Sequence, residues 1–149
     1  MVAVFLFSIP ILLADWQYRR IPNIYLLLTL YWVATMRIIS GIASVQTLIL
    51  CTVLTVLAVV IMKMGVGDAK LILTISLALN LTSTSDVVLL IFCIYLSAML
   101  EIVVMWGSTR TIPRSIPLAF AIIFGAMLYL AAANAPSLQQ YADALVNSW

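Results

Sequence analysis

Long apolar runs separated by short polar clusters dominate the pattern of this chain. Residues 2–15, 23–40, 45–63, 68–81, 86–106 and 115–133 are each apolar over most of their length. An α-helix rises about 1.5 Å per residue, so about 20 such residues cross the roughly 30 Å hydrocarbon core of a bilayer. The first run is the shortest relative to that need: its apolar part, residues 2–14, reaches only about 20 Å as a helix. Pro10 lies inside it and predicts a kink. The pattern predicts an all-α fold, a polytopic membrane protein of six transmembrane helices in one membrane-embedded domain over residues 1–149. Beyond the sixth run, Leu138, Tyr141, Ala142, Leu145 and Trp149 recur at helical spacing opposite a polar face. That spacing suits a short helix over 137–149 lying on the membrane surface, or a frayed terminus.

The breaks between runs are chemically distinct. Residues 15–23 form a polar connection with Trp16 and Tyr18 at interfacial positions, and Pro22 suits the first position of the next helix, where no N–H is needed. Residues 41–44 make a turn, and Lys63 closes the uncharged third run. The fourth run opens on Met64-Gly65-Val66-Gly67-Asp68-Ala69-Lys70, where two glycines let the backbone turn tightly and approach a ligand closely. Thr82-Ser83-Thr84-Ser85 is a turn cluster, with Asp86 placed to cap the fifth helix. Residues 107–114 are polar, and Asn134-Ala135-Pro136 ends the sixth helix.

Composition sharpens this picture. Of 149 residues, 66% are hydrophobic and only 8% charged, too little polarity for a soluble domain of this size. A net charge of +2 does not suggest nucleic acid, so the few charges matter by position. Cys51 and Cys93 stand alone in apolar runs and there is no histidine, which excludes the usual zinc sites and Ser/Cys–His nucleophile pairs. No metal and no cofactor are expected. With six spans, Arg19, Arg20, Lys63, Lys70, Arg110 and Arg114 share one side and only Arg37 falls on the other. Such a bias predicts that the 15–23, 63–70 and 107–114 connections are cytoplasmic and that both termini face outward.

The same alternation brings Asp15 and Asp68 to one membrane face. Ionisable groups at membrane depth are costly, and a functional reading is the default. Two carboxylates a few ångströms apart do not both ionise easily; one can act as general base on a water while the other, protonated, donates to the carbonyl oxygen of an amide. Each residue also has a plainer reading. Asp15 can pair with Arg19, Asp68 can cap helix four, and Glu101 is expected to pair with Arg110 or Arg114. Lys70 either extends to the lipid headgroups or biases the charge of the aspartates.

These residues carry a family resemblance. Gly65-Val66-Gly67-Asp68-Ala69-Lys70 is similar to the GxGDxK motif of the type IV prepilin peptidases, which are membrane aspartic proteases. Asp15 followed by Arg19-Arg20-Ile21-Pro22-Asn23 resembles the first aspartate of that family and its downstream IPN. Residues 112–119 resemble the proline-containing entry to the last core helix, although the usual PFGP form is absent. The resemblance implies catalytic Asp15 and Asp68, an active-site loop with Gly65, Gly67 and Lys70, and supporting roles for Arg19, Arg20, Pro22 and Asn23; Glu101, near the same face, is a further supporting candidate by its position alone. It implies cleavage of the basic leader of prepilin or pseudopilin precursors at the cytoplasmic face of the inner membrane. Larger members carry a cytoplasmic domain with paired CxxC motifs and methylate the new N-terminus. This chain looks like the compact form serving Tad/Flp pili, so no methyltransferase activity is expected. An archaeal preflagellin peptidase, or a small ion or proton transporter subunit using the same carboxylates, are the alternatives.

Overall fold

The structure, a computed structural model, describes residues 2–18, 22–41, 44–110 and 118–135. These residues form six α-helices and no strand: α1 (Val2–Tyr18), α2 (Asn23–Ser40), α3 (Val45–Met62), α4 (Val66–Leu79), α5 (Thr84–Thr109) and α6 (Leu118–Asn134). Three of them, α2, α3 and α5, are long and apolar enough to cross a membrane. The surface helix expected over 137–149 and the proline-containing entry to α6 lie outside the described residues.

Much of the outer surface is apolar, unlike that of a water-soluble bundle. On α3 the buried residues are Thr47, Cys51 and Thr55, while Val45, Ile49, Val53, Val56, Val60 and Ile61 are exposed. On α2, Leu26, Thr29 and Val33 are buried while Leu27, Tyr31, Ile38 and Ile39 are exposed. An exposed apolar patch of this extent would associate in water, whereas hydrocarbon solvates it. Thr29 and Thr55 donate to carbonyls of their own helices, whereas Thr47 and Cys51 reach beyond theirs. Thr47 Oγ1 donates to the Leu81 carbonyl at 2.9 Å, and Cys51 Sγ lies 2.9 Å from Ser76 Oγ. In lipid, such contacts and the packing of small residues replace the hydrophobic effect between helices.

At the centre stands α4, packed against α2, α3 and α6. Ala69, Leu71, Ile72, Thr74, Ile75, Ser76 and Ala78 are all buried, so this helix has almost no free face. Its 14 residues span only about 21 Å, shorter than the hydrocarbon core. Around it, α1 packs on α2 and α6, and α5 packs on α6 and α3. The closest approach is between α5 and α6. A Cβ added to Gly125 would lie 2.6 Å from Ile94 Cα, so only glycine admits this contact. Buried Ala119, Ala121 and Ala126 extend the small-residue surface.

Several helix ends differ from the sequence expectation. The first helix runs through Asp15 and Trp16 to Tyr18 rather than stopping at a polar connection. Nothing in that stretch breaks a helix, and the buried Asp15 finds a donor on α6. Pro22 is the N-cap of α2, not its first residue, with ψ 127°. The fourth helix begins at Val66, so Gly67 lies in its first turn, and it ends at Leu79. Ser83, not Asp86, caps α5. Its hydroxyl accepts from the Asp86 N–H, and Asp86 Oδ2 accepts from the Ser83 N–H at 2.9 Å, a reciprocal capping box. This helix continues past Trp106 to Thr109 because Gly107, in open space, does not interrupt it; Arg110 then ends it in the left-handed region at φ 52°.

Candidate acid site at one end of the bundle

Asp15 lies one turn before the end of α1 and is 6% exposed. A buried carboxylate needs donors. Asp15 Oδ2 takes one from the Ala119 N–H at 3.3 Å, in the first turn of α6. The free N–H groups of a helix N-terminus and its dipole favour an anion there. The carboxylate thus holds the end of α1 against the start of α6.

Asp68 occupies the third position of α4, after the N-cap Gly65. Gly65 offers no side-chain cap, and the Asp68 carboxylate reaches back to accept from its backbone N–H. The turn is tight. A Cβ on Gly65 would lie 2.9 Å from Asp68 Oδ2, so any larger residue displaces the carboxylate itself. Preceding it, Lys63 ends α3 in the left-handed region at φ 54°.

The two aspartates interact electrostatically across the bundle end. They come together because α1 and α4 share two neighbours, α2 and α6. Each acid therefore sits over a helix N-terminus, Asp15 over α6 and Asp68 over its own α4. What this arrangement can do chemically is hold two carboxyls in one partly dry place with a proton shared between them.

The remaining predicted residues are distributed around this pair. Lys70 is exposed and its Nζ donates to Asn23 Oδ1 at 3.4 Å, linking α4 to the start of α2. That contact is with Asn23 and not with the aspartates. Glu101 also interacts with Asp15, and its Oε2 is buried with no hydrogen-bond partner. The expected pairing with Arg110 is absent: Arg110 is exposed at the end of α5. Arg114, Arg19 and Arg20 lie outside the described residues. Two contributors escaped the sequence reading. Ala119 acts through its backbone, which leaves no mark on residue identity. Arg37 binds the other end of α4, its Nε donating to the Leu77 carbonyl at 2.9 Å and its Nη2 to that of Ala78. Comparison of the chain with protein-family models, characterised proteins and solved structures finds no match.

Proposed function

We propose that this protein is a membrane aspartic endopeptidase of the prepilin-peptidase type, with six spans, its acid site at the cytoplasmic face and both termini outward. The observation that carries the reading is the electrostatic interaction between Asp15 and Asp68, both at one end of the bundle. The GxGD and D…RRIPN resemblance supports it from the sequence. Among the described residues, Lys63, Lys70 and Arg110 lie toward that end and Arg37 alone toward the other, which supports a cytoplasmic acid site.

In the proposed reaction a water lies between the two carboxyls. The ionised one removes a proton as the water oxygen bonds to the scissile carbonyl carbon, and the protonated one donates to the carbonyl oxygen. The C–N bond of the tetrahedral intermediate then breaks, the leaving nitrogen takes a proton from the pair, and a carboxylic acid and an amine are released. The substrate class is a precursor with a basic leader in the cytoplasm followed by an apolar helix, whose scissile bond is presented at the membrane edge.

Co-expression with candidate prepilins tests this. Wild type is expected to shorten the precursor, and Asp15→Asn and Asp68→Asn are each expected to abolish the shift while the protein still inserts. Full cleavage by either variant would remove the mechanism. Ion flux in proteoliposomes without any cleavage would favour the transport alternative.

A further inference from the structure

The buried stripe of α5 leads to the acid site. Val87, Leu90, Ile94 and Ser97 are all nearly inaccessible, at 0%, 1%, 7% and 4% exposure. Their spacing of three and four residues defines one helix face, and the next position on it is Glu101. Ile94 meets Gly125 of α6 at backbone contact. Tyr129, near the end of α6, interacts with Asp86 and Cys93, near the start of α5, so the two helices run antiparallel. Two turns from the Ile94–Gly125 contact, Glu101 is therefore level with Leu118 and Ala119. Ala119 is the residue whose N–H binds Asp15.

We propose that Glu101 is a positioning residue of the acid site, a third carboxyl coupled to Asp15 that sets the pH range over which the Asp15–Asp68 pair holds its shared proton. This rests on the peptidase reading. Asp15 and Asp68 each have a backbone N–H at a helix N-terminus, whereas the buried Glu101 Oε2 has no donor. A core position facing α6 would ordinarily be apolar, as the four before it on the stripe nearly all are. The groups around Glu101 leave Asp15 as its electrostatic partner. From α1 comes Asp15. The described titratable group of α6, Tyr129, is at the opposite end, and Lys63 at the end of α3 is exposed. On α5 itself, Tyr95 is engaged with Met62 Sδ and Arg110 is exposed. Among the described residues no ion pair neutralises Glu101. Coupled carboxyls titrate together, so removing one changes the apparent titration of the others.

The test is the pH–rate profile of prepilin cleavage by wild type, Glu101→Gln and Glu101→Asp in detergent micelles. Removing the neighbouring negative charge should let the pair lose its shared proton earlier, so the alkaline limb for Glu101→Gln moves toward acid by about one pH unit. Glu101→Asp should keep the wild-type limb. A lower rate with an unshifted profile in Glu101→Gln would reduce Glu101 to a structural residue and overturn the inference. Infrared titration of the carboxyl bands, with Asp15→Asn to assign them, gives a readout independent of cleavage. Asp15 titrating identically with and without Glu101 would also overturn it. Coupled bands in a protein that cleaves no prepilin would instead sink the peptidase reading and leave the coupling standing.

Discussion

The two ends of α4 start from the same problem, backbone groups without helical partners, and finish it in opposite ways. At the C-terminal end Arg37 takes two of the acceptors the helix leaves free. The guanidinium covers the Leu77 and Ala78 carbonyls, Thr47 covers that of Leu81, and Asn80 turns the chain in the left-handed region at φ 55°. At the N-terminal end the cap is a glycine without a side chain, and the group that answers it is a carboxylate that interacts electrostatically with a second one. A cation over carbonyls relaxes both partners. Two acids sharing one corner do not relax each other. The first end secures the helix, and the second holds groups in a state that chemistry can use.

Substitutions at the two ends should separate stability from activity. The largest effect is expected for Asp68→Asn, which removes cleavage entirely while leaving thermal unfolding in detergent close to wild type. Gly65→Ala should follow. It displaces the Asp68 carboxylate rather than the helix, and a misplacement on the order of 1 Å costs about 100-fold in rate. Equal kcat/KM for Gly65→Ala and wild type would contradict the close contact described here. At the opposite end, Arg37→Met should lower stability by about 2 kcal/mol, because two carbonyls lose a charged donor, with activity per folded molecule retained. Thr47→Val should cost about 1 kcal/mol in the same unfolding assay, in the range of interhelical hydrogen bonds in membranes. The smallest change is expected for Lys70→Ala. Its contact with Asn23 is long and exposed, so both stability and cleavage should stay near wild type. A severe loss of cleavage in Lys70→Ala would mean that Lys70 works at the acid site after all.

Local signals in the chain were read well where local physics decides. The bounds of α2 follow directly from apolar length and the flanking breakers, and residues 45–62 needed only an uncharged run ending at Lys63. A charge in an apolar run ordinarily marks an end, so the pattern places Asp15 in a connection, whereas α1 runs through it to Tyr18. Here a donor from α6, remote in sequence, lets the helix continue through it. The residue pattern admits Asp86 as a cap, and only the reciprocal geometry assigns the N-cap to Ser83 with Asp86 as its partner. Charge alone pairs Glu101 with Arg110 or Arg114; Arg110 is exposed and Arg114 lies outside the described residues, while the buried stripe of α5 carries Glu101 inward.

Residue types and their spacing determined by themselves that the chain is helical, that its runs suit lipid, and which carboxyls and glycines were worth watching, because those properties belong to single residues and near neighbours. Which acids meet, which stay apart from the cations, and which carbonyls a lone arginine covers were decided by packing between α4 and the helices around it. Those outcomes depend on contacts between distant parts of the chain and on backbone donors such as the Ala119 N–H, which every residue but proline carries and no sequence pattern distinguishes.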